Sequence, residues 1–150
     1  MDRAHVMAND AERERLGALV TGSSDDTLSR PMPAGWTVAA VLAHIGFWDA
    51  RAIFWLDKWG GGVEPSAPDV EEPAVVEWVN DSAKPFCLAL PPRDAARLAL
   101  RLAEEADAKV EALSDDLLAK IRSAGGAPFD LSRADHRKEH VDDIERALGA

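Results

Sequence analysis

Residues 37–59 read TVAAVLAHIGFWDARAIFWLDKW, and the architecture expected of the whole chain follows from them. Thr37 is a good helix N-cap, no proline intervenes, and Gly60-Gly61-Gly62 supplies the stop. Val38, Val41, Ile45, Trp48, Ala52, Trp55 and Trp59 recur at alternating spacings of three and four. That is the seam a helix presents to bundle partners. At 1.5 Å per residue the helix spans roughly 33 Å, the full height of a small bundle. His44 sits at the edge of the seam, one turn before Trp48.

Outward from this helix, the remaining segments are also helical in pattern. Val6 to Val20 forms a first helix, with Leu16, Leu19 and Val20 as a short apolar face. The stretch from Thr21 to Gly35 holds Gly22, Pro31 and Pro33 and is read as a connector with a brief turn at Asp25 to Leu28. A long Gly/Pro/Glu-rich loop follows from Gly60 to Pro73, then a helical pattern from Val75 to Leu88 that Pro85 should kink or end. Pro91-Pro92 opens another long helix, Arg93 to Leu113, whose Leu98, Leu102, Ala106 and Val110 recur every four residues. Ser114 caps a short turn carrying Leu117, Leu118 and Ile121, and a Gly125-Gly126 loop leads to the last segment. No strand pattern emerges. The expected fold is an all-α, up-down four-helix bundle, a single domain over residues 1–150, with the long loop between its second and third helices and an extra short helix.

The last segment, SRADHRKEHVDDIERAL at 132–148, is amphipathic, and Ser132 with Asp135 gives a capping-box-like start. His136 and His140 lie one turn apart on one face, because four residues advance a helix by about 400°. Two imidazoles in that relation can converge on one cation. If the helix bearing His44 is a neighbour, a third imidazole joins them. Asp143 shares their face and could accept an imidazole N–H, directly or through water. Asp49 lies near the apolar arc of its helix, where it needs a partner; it is a candidate general base. Trp48 is a candidate pocket wall, Arg51 a candidate anchor for a substrate carboxylate, and Asn80 a polar residue that could face the same pocket. Cys87 has no basic neighbour closer than Lys84, as expected of an inert thiol.

Composition narrows the partners. A net charge of -10 and a pI near 4.8 oppose the counterion release that drives nucleic-acid binding, and anionic membranes are equally disfavoured. One cysteine cannot form an internal disulfide, no apolar run approaches the roughly 20 residues of a membrane span, and no signal-peptide pattern is read at the start. The expected compartment is the cytoplasm, and the expected partner a small molecule.

The segment 35–49, GWTVAAVLAHIGFWD, together with DHRKEHVDDI at 135–144, resembles the second-helix and closing-helix signatures of the DinB-like superfamily. The likeness is nearest to the branch containing the N-terminal domain of mycothiol-dependent maleylpyruvate isomerase. It implies a four-helix fold in which one histidine of helix two and two of the last helix hold a divalent metal, the positions of His44, His136 and His140. Zinc is the expected ion and nickel the second choice. The resemblance further implies transfer of a thiol, mycothiol or another low-molecular-weight thiol, to a small electrophile. Hydrolysis by metal-activated water and non-catalytic metal or ligand binding in a stress protein are the alternatives. Homodimers are also implied by the superfamily. The chain stops at Ala150, without the isomerase's extra C-terminal domain, so that particular isomerisation is not expected.

Overall fold

The computed structural model describes residues 2–66, 72–124 and 131–149. Parts of two expected loops, at 67–71 and 125–130, lie outside the described residues. Among the described residues there are α-helices and no strands: α1 (Ala4–Thr21), α2 (Asp25–Leu28), α3 (Val38–Gly60), α4 (Pro73–Ala89), α5 (Pro92–Glu111), α6 (Asp115–Ser123) and α7 (Ala134–Ala147). The all-α bundle is therefore the architecture found.

Local chemistry sets the helix starts. Thr37 Oγ1 accepts from Ala40 N at 3.1 Å, and Ser24 and Ser114 accept likewise from Thr27 N and Leu117 N. Each side chain satisfies one of the donors that a helix start leaves without an intrahelical acceptor. The last helix departs from expectation. Ser132 does not cap it; the N-cap position is Arg133. Asn9 of α1 does the work from outside, its Oδ1 accepting from Arg133 N at 2.8 Å and Ala134 N at 3.1 Å while its Nδ2 donates to Leu131 O. Because Asn9 is buried, this clasp also ties α1 to the start of α7.

Helices α1, α3, α5 and α7 form the bundle. In space α5 lies between α1 and α3, and α7 closes the ring between the same two. Gly46 meets Ala99 and Asp57 meets Lys109, so α3 and α5 run parallel, and the bundle is not the simple up-down one expected. Two parallel helices need a return path between them, and α4 provides it against the outer side of α3. Pro85 neither ends α4 nor divides it, since the helix runs on to Ala89. The carbonyl it leaves without an N–H belongs to Asp81, an exposed residue open to water.

The core face of α5 also differs from the expected one. Ala95, Ala99, Ala103 and Ala106 are fully buried with Val110, while Leu98 and Leu102 are half-buried. Small residues let backbones approach, and Gly46 of α3 sits where a Cβ would lie 3.3 Å from Leu102 Cδ1 and 3.4 Å from Ala99 Cα. The apolar interior carries on through Leu16, Leu42, Ile45, Val141 and Ile144. A second cluster, with Leu56, Trp59, Leu118 and Ile121, closes the end under α6. By length and composition α3 is apolar enough to cross a membrane, contrary to the expectation that no stretch approached that size, but most of its most apolar window is buried inside the bundle.

Candidate metal centre

His44 comes from the second turn of α3, His136 from the first turn of α7, and His140 from the next turn. Because α7 runs antiparallel to α3, the three rings meet near one end of the bundle. Their Nε2 atoms form a triangle, His44 to His140 at 3.1 Å, His44 to His136 at 3.2 Å and His136 to His140 at 3.1 Å. No arrangement of protons satisfies three such nitrogens. An Nε2–H can donate to a neighbour but then has no lone pair left to accept with, so at least one nitrogen keeps an unmatched lone pair or proton. A single cation satisfies all three. The edges are close to the roughly 3.3 Å expected of nitrogens sharing one tetrahedral ion at ~2.0–2.1 Å. The cluster could thus hold a divalent metal with coordination positions to spare.

The electrostatics keep these rings neutral. Burial lowers the His44 pKa to about 4, with the charge of His140 adding to the effect. Burial likewise lowers His136 to about 2, assisted by the other two histidines and by Arg133 and Arg137. His140 is lowered by desolvation, against the opposing carboxylates of Glu139 and Asp143. Neutral imidazole is the ligand form. The Nδ1 atoms of His44 and His136 are buried and meet no hydrogen-bond partner among the described residues. Trp36 presses edge-on against His44, ring centroids 5.7 Å apart, and Trp48 approaches His136 at 6.5 Å.

A cleft of about 700 Å³ opens beside the triangle, with His44 and His140 in its wall. Trp36, Met32 and Val41 give it an apolar floor; Glu77, Asn80, Asp81, Lys84, Asp143 and Arg146 supply the polar lining. Asn80 faces the cleft, and its Oδ1 accepts from Trp48 Nε1 at 2.8 Å. Trp48 and Arg51 are not among the lining residues, and the Arg51 guanidinium instead lies 5.5 Å above the Trp48 ring. Asp143 Oδ2 stands 3.9 Å from His140 Nδ1, beyond a direct hydrogen bond, while its Oδ1 accepts from Arg146.

Asp49 requires a correction. It is 1% exposed, and its carboxylate is taken up by Arg133 Nε at 2.8 Å and by Arg137 at 3.2–3.3 Å. A carboxylate so engaged is a structural counter-charge and not a base facing the histidines. The sequence reading missed this ion cluster and missed Trp36 and Lys84 as well. Lys84 reaches from α4 to the Ala34 carbonyl and lies 5.2 Å over the Trp36 ring, closing the cleft rim. His5 sits inside α1 with its Nε2 buried. Cys87 is buried, and desolvation raises its pKa, as suits an inert thiol.

Neither a curated protein nor a solved structure matches this chain. A family model does, the one described as the DinB superfamily, over residues 8–136. That span includes His44 and His136 and ends one turn before His140. With a match over most of its length and an all-helical bundle to agree with it, the chain belongs to the DinB superfamily.

Proposed function

We propose that this protein binds a divalent metal at His44, His136 and His140 and uses it to transfer a low-molecular-weight thiol, mycothiol or a similar one, to a small electrophile. The observation that carries the reading is the Nε2 triangle beside an open cleft whose wall includes His44 and His140. Three neutral ligands that leave coordination positions open are the pattern of catalytic rather than structural sites. A divalent ion, zinc before nickel, supplies Lewis acidity there, lowering the pKa of a coordinated thiol or water toward neutrality.

The chain's own groups provide the rest. Trp36, Met32 and Val41 line the cleft with apolar surface, which lowers the local dielectric and strengthens a charge interaction made against it. Asn80 offers its amide to a ligand while its oxygen is held by Trp48. Lys84 and Arg146 are the cations of a lining that also carries Glu77, Asp81 and Asp143, and they are the groups to which a carboxylate on the thiol or the electrophile would bind. Asp143, one turn beyond His140, is positioned to orient that ring through a water.

The test is loss of an activated aryl halide in the presence of zinc-loaded protein and a thiol. Thiol-dependent turnover that disappears in His140→Ala is the expected result. Turnover without any thiol would replace transfer by hydrolysis, and metal binding with neither activity would leave a binding protein.

A further inference from the structure

Arg137 follows His136 directly on α7 and is completely buried. Its guanidinium touches the three other bundle helices. It donates to Asp49 Oδ2 on α3 from Nε at 3.3 Å and Nη2 at 3.2 Å. On α5 it donates to Asp107 through two bonds of 2.9 Å, and on α1 to the Asn9 carbonyl at 3.3 Å. The two carboxylates have second cations of their own, Asp49 in Arg133 and Asp107 in Arg13 of α1.

A buried ion cluster of this kind gives little net stability, because desolvation offsets most of the attraction, and apolar side chains of similar size often serve as well. What it supplies is direction. Val141 and Ile144 share one apolar cluster with residues of α3, and burial of apolar area, being non-directional, does not by itself select a register. A slide of one residue moves α7 by about 1.5 Å, while ligand distances in a metal site hold to roughly 0.2 Å. Arg137 Nε and Nη2 converge on the single oxygen Oδ2 of Asp49, and a slide of that size carries both donors out of reach of it. Asp49 lies five residues beyond His44 on α3, and Arg137 lies next to His136 on α7, so this buried ion contact and the imidazole triangle share one register.

We infer that Arg137, through Asp49, is a positioning residue that sets the register of α7 on α3 and thereby brings the imidazoles of His136 and His140 to His44. The inference rests on the metal-site reading given above. Asp107 belongs to the same cluster but ties α7 to α5, which carries no histidine ligand. The two acids therefore differ in what they do for the site while resembling each other in burial and charge.

The experiment measures Co2+ and Zn2+ dissociation constants by chelator competition, the visible spectrum of the Co2+ form, and urea midpoints in chelator, for wild type, Arg137→Met, Asp49→Asn and Asp107→Asn. Arg137→Met leaves each carboxylate one arginine and is expected to keep its helicity while losing about ten- to a hundredfold in metal affinity, the range seen when groups that orient ligands are removed. Asp49→Asn is expected to lose affinity to a similar degree with an altered Co2+ spectrum. Asp107→Asn should shift the urea midpoint comparably yet bind metal within about threefold of wild type. Equal affinity losses in the two acid variants, or wild-type affinity in Arg137→Met, overturn the inference and leave the metal site standing. If Arg137→Met does not fold, the pair of acid variants decides. Wild-type protein that takes up neither ion sinks the metal reading itself, and this inference with it.

Discussion

Acid should unfold the metal-free protein far more readily than its carboxylates alone would dictate, because the folded state holds at least two histidines neutral well below their ordinary range. His44 titrates at about 4 and His136 at about 2 when folded, each lowered first by burial. In the unfolded chain both return to about 6.5. The unfolded state then takes up protons first as pH falls, so stability is intact above pH 6.5 and declines below it. For His44 the loss levels off near pH 4; for His136 it continues further down. At pH 5 each of these rings costs about 2 kcal/mol relative to pH 7.5, and the pair about 4 kcal/mol. His140 adds to the loss, since its pKa is lowered too. Against a total stability of roughly 5–15 kcal/mol, a loss of this size is easily measured.

The assay is urea unfolding followed by tryptophan fluorescence, in chelator, from pH 7.5 to pH 5. Wild type should lose at least about 4 kcal/mol across that interval, and His136→Gln about 2 kcal/mol less than wild type, having one fewer ring to protonate on unfolding. The acids whose folded pKa is lowered by arginine or lysine partners, Asp115 and Asp142, contribute in the same direction but only near and below the usual carboxylate range, outside the interval. Stability that changes by less than about 1 kcal/mol down to pH 5, or an unchanged slope in His136→Gln, would show that the rings are not held neutral by the fold.

Three further outcomes follow from single contacts. Asn9→Ala removes the external cap of α7 and leaves the amides of Arg133 and Ala134 buried without it; a loss of about 2–4 kcal/mol is expected by urea unfolding, and Asn9→Asp, which keeps the acceptor, should recover part of it. Gly46→Val drives a branched side chain into Ala99 and Leu102 where α3 and α5 approach, and should cost about 1–3 kcal/mol or more despite the better helix propensity, read as a lowered thermal midpoint. His44→Ala should reduce bound metal, measured by elemental analysis of untagged protein, to well below the wild-type content; equal content in the two would remove His44 from the ligands.

Much of the fold was legible because its signals are local. Thr37 and Ser114 cap helices where N-cap chemistry places them, and the seam of α3 is buried as its three- and four-residue spacing requires, though Trp48 and Trp55 are buried only in part. The face of α5 was misread for a definite reason. Leucine and alanine both recur every four residues in that helix, and a hydrophobicity count favours leucine. The close approach of α3 at Gly46 leaves room for a methyl group and no more, so the alanine stripe takes the core. The cap of α7 was invisible from residues 132–135, because the oxygen that provides it lies more than a hundred residues earlier in the chain.

The ion cluster was written in the sequence too, though in a form that becomes clear only when three helices are compared. Arg137 occupies the stripe that continues through Val141, Ile144 and Leu148; Asp49 occupies that of Ile45, Ala52 and Leu56; Asp107 occupies that of Ala103 and Val110. A charge on a stripe that is otherwise apolar must find its opposite in the same interior, since a lone buried ion is too costly to keep. One arginine and two aspartates in that situation on three helices constrain how those helices meet, much as a polar residue fixes the register of a coiled coil. Asp49 was read alone, as a base in want of a partner, and so was assigned to the chemistry. Paired with Arg137 it belongs to the alignment of the helices instead, and the histidines owe their meeting to a contact one turn away from them.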